Sequence, residues 1–320
     1  MKEAIITDNL VKKYGNLKAL DGVSLQVEKG TVYGLLGPNG AGKTTTIRIL
    51  TGLTKPSSGK AVILDFDLSS DIVKAKQLVG VVPDRSNIYD ELSAFQNLIF
   101  SAQLYNVPQT ERESRALELL ESFGLSDRAD SKVNVFSHGM KRRLTIACAL
   151  IHKPSLLFLD EPTTGLDVQS ARQLRTIIKN LSLEGVTVFL TTHYIEEADQ
   201  LCDKIAMINH GKIAVVDTPE NLKASITGSV VTEVAFIGEP KPEELAELPG
   251  VFDVYKIGDR FRLTSGNEYD LVEAIVDYSR EKAFKIQSIN TLKPTLEDAF
   301  LRITGKTPIP DEDGKTRGGK

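Results

Sequence analysis

"GLLGPNGAGKTTT", residues 34–46, is the stretch from which the rest of the chain can be read. Gly37, Gly42, Lys43 and Thr44 fall in the pattern G-x-x-x-x-G-K-T, with Gly40 between them. The apolar run "TVYGLLG" ends at the first of these glycines and a helical pattern begins after the last. That strand–loop–helix setting lets consecutive backbone amides turn inward on phosphate oxygens, while the lysine reaches the terminal phosphates and the threonine hydroxyl reaches Mg²⁺. The candidate nucleotide-binding set is therefore Asn39, Gly40, Ala41, Gly42, Lys43, Thr44 and Thr45. A plain glycine-rich turn is the simpler alternative. A dinucleotide-binding turn fits less well, because the glycines are not spaced G-x-G-x-x-G.

Two continuous apolar runs, "SLLFLDE" (155–161) and "VTVFLTTH" (186–193), have the character of parallel strands buried on both faces. Open α/β sheets bind ligands at the carboxyl ends of such strands. Asp160 and Glu161 emerge at one of these ends and His193 at the next. Asp160 is placed to hold Mg²⁺ through its water shell. Glu161 suits a general base on an attacking water, and His193 suits a donor to the last phosphate. Without the glycine loop, the acidic pair would read as a helix-capping turn and the histidine as a surface residue.

A second stretch, "NVFSHGMKRRLTIACAL" (134–150), starts a helix with Lys141, Arg142 and Arg143 in its first turns. A helix N-terminus carries about half a positive charge and prefers acidic neighbours. Ser137 and Gly139 offer a hydroxyl and open amides, which suits a second phosphate grip. The basic run is either drawn to that polyanion or is a solvated face paired with nearby acids.

The 320 residues are ample for two cores. With 39 basic and 43 acidic residues, the net charge of −4 gives no global pull toward nucleic acid. Two cysteines without metal-ligand or disulfide spacing, Cys148 and Cys202, read as buried thiols of a reducing compartment. The polar start "MKEAIITDNL" does not read as a signal peptide, and no apolar run of 18 or more residues is present. Segment 85–152 is mostly helical in pattern, and "KIAMINHGKIAVVD" reads as a hairpin. Beyond "TPENLKASITG" the order becomes βαββαβ plus one helix, which predicts a small ferredoxin-like α+β domain. The expected division is 1–227 and 228–305, followed by a disordered tail at 306–320.

Together these motifs resemble the nucleotide-binding subunit of ATP-binding cassette (ABC) transporters over about residues 3–225. "SHGMK" is similar to the family's signature segment, "TTGLD" to its inter-subunit aspartate loop and "TTHYIEEAD" to its histidine switch. The resemblance implies a P-loop NTPase with a RecA-like α/β core, an antiparallel β subdomain and a helical subdomain. It implies ATP and Mg²⁺ as ligands, and two subunits packed head to tail so that Ser137 and Gly139 grip the partner's nucleotide. Tyr14 would stack on the adenine, Asp167 would bridge to the other subunit, and Asp84, where the family usually has glutamine, would touch Mg²⁺ and the attacking water. So placed, Asp84 is expected to raise the Glu161 pKa. His138, where the family usually has glycine, bears on the backbone turn there. "LKPTLEDAFLRITG" is similar to the end of drug- and polyketide-exporter subunits, whose permease is a separate polypeptide. The implied partners are a second copy or homologous subunit and that permease, at the cytoplasmic face of the membrane. A soluble ABC-type ATPase with a non-transport role is the alternative.

Overall fold

The computed structural model describes residues 2–225, 230–238, 240–266, 268–292 and 295–304. The chain opens with β1 (Glu3–Tyr14) and β2 (Leu17–Glu28), an antiparallel pair that turns through Gly15 at φ 57°. Buried and exposed positions alternate along β2, so one of its faces packs inward. The next strand, β3 (Val32–Leu36), is buried at every position and leads through the glycine loop into α1 (Lys43–Leu50). After it come β4 (Ser58–Ile63), β5 (Phe66–Asp67), α2 (Ile72–Gln77) and β6 (Val79–Val82). Three helices interrupt the strands: α3 (Ala94–Leu104), α4 (Gln109–Ser122) and α5 (His138–Leu150). The α/β rhythm then resumes with β7 (Leu156–Asp160), α6 (Val168–Leu183), β8 (Thr187–Thr192), α7 (Ile195–Leu201), β9 (Lys204–Asn209) and β10 (Lys212–Asp217).

These strands form an antiparallel sheet, ordered β2-β1-β4-β5, and a six-stranded sheet, ordered β10-β9-β3-β8-β7-β6. All pairs of the second sheet are parallel except β9 with β10. That hairpin turns at His210 (φ 48°) and Gly211 (φ 75°), where the sequence places it. Because β3, β7 and β8 lie side by side, the glycine loop, Asp160 and His193 all leave the same edge of the sheet. One core cluster joins both sheets, with Ile5, Leu10 and Leu25 packed among Tyr33, Phe158 and Phe189.

A second compact unit begins at Pro219, so the division falls after Thr218, ahead of the sequence-read boundary at 227. The difference is α8 (Pro219–Ala224), which packs on the last helix of the second unit. The rest of that unit is β11 (Val230–Ile237), α9 (Pro242–Ala246), β12 (Val251–Ile257), β13 (Arg260–Ser265), α10 (Glu268–Glu281), β14 (Lys285–Leu292) and α11 (Leu296–Thr304). Its sheet is antiparallel in the order β12-β13-β11-β14, the ferredoxin-like arrangement, around a core of Val234, Phe236, Phe261, Leu263 and Ile275. The proposed tail, 306–320, lies outside the described residues.

Gly37 sits where β3 meets β9. A Cβ there would lie 2.3 Å from the Ile208 carbonyl oxygen, a backbone atom with no room to swing away. Gly40 faces open space, and only its φ of 80° disfavours a side chain. Gly37→Ala should cost about 1–3 kcal/mol of stability by overpacking. Gly40→Ala should cost about 1 kcal/mol through backbone strain. Calorimetry of the first unit's transition should therefore rank Gly37→Ala below Gly40→Ala, and the reverse order would contradict this packing.

Candidate nucleotide site

Helix α1 begins without the devices that normally satisfy a helix start. Its N-cap is Gly42, at φ 113°, which has no side chain to accept a hydrogen bond, and no acid lies in the first turn. The orphan amides and positive dipole end are thus available to an anion. Helices α3 and α6, by contrast, are closed: Ser93 and Gln96 form a capping box on α3, and Asp167 caps α6. Asn39, Gly40 and Thr44 are exposed at the loop's rim, Thr45 is half-buried, and Ala41 is buried, its carbonyl accepting from the Gly211 amide. Lys43 is 4% exposed; its ammonium donates to Gly37 O at 2.8 Å and Pro38 O at 3.2 Å and lies 3.2 Å from Glu161 Oε1.

The end of β7 supplies the facing half. Asp160 Oδ1 accepts from Thr191 Oγ1 at 2.5 Å and from Thr44 Oγ1 at 3.5 Å. Burial raises its pKa, Glu161 and Asp84 add to the rise, and the two threonines offset part of it. The net shift of this carboxylate is upward, and with the Thr44 hydroxyl it forms a hard oxygen donor set suited to Mg²⁺. Glu161 accepts from Thr164 Oγ1 at 3.2 Å, and His193 Nδ1 approaches its Oε2 to 2.9 Å. Burial pushes the Glu161 carboxyl up, but His193 and Lys43 outweigh it and hold the pKa down to about 2. The expected elevation by Asp84 is therefore reversed: His193 and Lys43 govern Glu161, while Asp84, an exposed residue, acts on Asp160.

Glu161 has φ 47°, a left-handed backbone that L-residues rarely adopt. Its amide is held by Thr191 O and Oγ1, and its carbonyl by Arg142 Nη2 at 3.0 Å. Arg142 is 4% exposed and donates to five backbone carbonyls: Pro83, Asp84, Asp160, Glu161 and Pro162. For Arg142 this overturns both readings of the basic run, whereas Lys141 meets the second of them, a solvated cation paired with a nearby acid. Arg142 is neither solvated nor aimed at an external anion. Lys141 pairs with Asp90 at 2.7 Å, and Arg143 donates to Phe123 O at 2.9 Å. The charges that crowd the start of α5 are taken up by the protein itself.

Ser137, Gly139 and Asp167 gather elsewhere, around the start of α6. Ser137 caps α5 by accepting from the Met140 amide at 3.2 Å, which leaves its own hydrogen free to donate. A Cβ on Gly139 would lie 2.5 Å from Ser170 Oγ, so the glycine lets α5 approach α6. Asp167 accepts from the Ser170 amide and hydroxyl at 2.8 and 2.7 Å, so within this chain it serves as the N-cap of α6. The histidine at 138 imposes no strain, since it is the first residue of α5 and not among the residues of positive φ. Tyr14 ends β1, 45% exposed, with Lys12 Nζ 5.0 Å from its ring centre. Sequence reasoning missed Thr191, Thr164 and the role of Arg142. The signal for Arg142 was helical spacing: it shares the stripe of Thr145, Ile146 and Ala149, all buried.

The family model described as "ABC transporter" matches residues 20–164. The linearmycin resistance ATP-binding protein LnrL of Bacillus subtilis (strain 168) is 36% identical over 304 residues, covering 94% of this chain and 98% of its own length. The daunorubicin/doxorubicin resistance ATP-binding protein DrrA of Streptomyces peucetius is 36% identical over 317 residues, 98% of this chain and 95% of its own. Both spans take in the second unit as well as the first. A dimeric structure of the ATP-binding cassette MJ0796, in a post-hydrolysis state with ADP and Pi, superposes with a TM-score of 0.61 at 28% identity over 67% of this chain and 98% of that one. An uncapped phosphate loop faced by Asp160, Glu161 and His193, matched by relatives along nearly its whole length, places this chain in the ABC transporter family as one of its ATP-binding subunits.

Proposed function

We propose that the chain hydrolyses ATP in a site shared between two copies and drives a separate transmembrane permease, exporting a small molecule of the antibiotic class named in its relatives. The observation that carries this is the convergence of Lys43, Thr44, Asp160 and His193 on Glu161 and the open start of α1. In the mechanism, the α1 amides and Lys43 hold the phosphates and Tyr14 carries the base. Glu161 accepts the proton of the attacking water, oriented by Thr164 and by His193, which also donates to the terminal phosphate. Thr44 and Asp160, with Asp84 at the rim, would hold Mg²⁺, which would supply positive charge to offset the phosphates. Ser137 and the Gly139 amide, from a second copy, close the site, with Asp167 bridging the copies. No helix among the described residues is long and apolar enough to cross a membrane, so we assign the channel to a partner and this chain to the membrane's cytoplasmic face. A cavity of about 340 Å³ lined by Leu50, Leu53, Ile72, Pro83 and Tyr105 adjoins the Asp84 loop and suits the permease contact.

Glu161→Gln should lower turnover by about 10²–10⁴-fold, the usual worth of a general base. It should also accumulate a dimer with Mg-ATP, measured by light scattering alongside phosphate release. Full turnover by a monomer would contradict the shared site.

With its pKa lowered from 4.5 to about 2, Glu161 is a carboxylate throughout the neutral range, and any stability it contributes is complete above about 4.5 and lost progressively as pH falls from there through about 2. The acid limb of ATPase activity therefore does not report this group. Asp84→Gln should leave that limb in place while raising the Mg²⁺ concentration for half-maximal rate several-fold, because it removes a negative charge beside Asp160. A shifted limb would return control of Glu161 to Asp84.

A further inference from the structure

We propose that Arg142 is a positioning residue that fastens the signature helix to the chain's own catalytic strand ends, so that Glu161 and Asp160 hold their productive geometry only while α5 sits correctly. The side chain leaves α5 three residues after Gly139 and spans two neighbouring strand ends. Its Nη1 donates to Pro83 O and Asp84 O beyond β6, Nη2 to Asp160 O and Glu161 O at the end of β7, and Nε to Pro162 O. A planar fork with fixed donor directions sets all of these carbonyls at once, which a single ammonium does not do. The strained Glu161 peptide is among them, so one guanidinium helps hold the general base in its left-handed conformation. The same helix start carries Ser137 and Gly139, the residues proposed to grip the partner's nucleotide. Closure at one site is thereby transmitted to the carboxylates of the other by a side chain that touches neither nucleotide.

This inference rests on the roles proposed for Glu161 and the shared site, which Glu161→Gln tests by itself. Arg142→Lys keeps the charge and loses the fork; Arg142→Met keeps much of the volume and loses both. Arg142→Lys should lower kcat by at least about ten-fold and Arg142→Met by about a hundred-fold, the scale of a small misplacement of catalytic groups. ATP affinity, read by equilibrium binding in the Glu161→Gln background, should change less than about three-fold, since the phosphate loop is untouched. The Glu161→Gln/Arg142→Lys double variant should still form the ATP-bound dimer. Arg143→Lys, which alters only a bond to Phe123 O, should keep wild-type turnover. If Arg142→Met fails to fold, the folded Arg142→Lys protein carries the test. Wild-type kcat in Arg142→Lys would overturn the proposal. So would kcat and ATP affinity falling together, or loss of the dimer in the double variant alone.

Discussion

Lys43, Arg142, Asp160 and Glu161 share a space from which water is mostly excluded, and each must find compensation there. Their arrangement is the constraint on which the rest of the structure depends. Burial lowers the pKa of both cations and raises that of Asp160. A buried ion stripped of its partner typically costs 3–5 kcal/mol, so the group stands or falls together. The compensation is uneven. Glu161 has Lys43 and His193 beside it and a depressed pKa, whereas Asp160 relies on threonine hydroxyls and keeps a raised one. Adjacent carboxylates with opposite shifts suit different tasks: one is held ionised by its neighbours, and the other is left open to a further positive charge.

The fold delivers these groups by adjacency in the parallel sheet. β3 lies beside β8 and β8 beside β7, so the loop, Thr191, Thr192 and Asp160 reach one edge in register, with Leu35 opposite Thr191 and Asp160 opposite Thr191. Thr191 and Thr192 are wholly buried polar residues ending an otherwise apolar strand, a costly choice unless their hydroxyls are used. Thr191 bonds Asp160 and the Glu161 amide, and Thr192 Oγ1 accepts from the Tyr194 amide next to His193. The strand that separates the glycine loop from the Asp160–Glu161 pair is also the one that bonds to both.

What the sequence disclosed follows the same physics. The glycine loop was legible because no other residue supplies φ of 80° and 113° so cheaply, and the two hairpins because His210-Gly211 and Gly258 mark their turns. Strands β3, β7 and β8 announced themselves by unbroken burial. The short strands between α1 and α3 did not. β5 has two residues, β6 has four, and half of β4 is exposed, so neither period nor composition separates them from loop. The basic run misled for a different reason. Charge counts say nothing of where a long side chain ends, and arginine satisfies backbone carbonyls as readily as phosphates.

That dual capacity of arginine bears on how α5 works. A helix whose start carries Ser137 and Gly139 would gain nothing from being fixed rigidly in the core if it only had to present them outward. Lys141 ties it to Asp90, ahead of α3, and Arg143 to the end of α4, both within the helical segment. Arg142, between them, ties it to the strand ends of the parallel sheet. Three consecutive cations thus fasten one helix to two subdomains. Hydrogen bonds from a buried cation are directional and weaken steeply when misaligned. Relative movement of those subdomains is therefore felt first at the carbonyls of Asp84 and Glu161, the residues proposed to act on metal and water, rather than in the apolar core, where contacts are less directional.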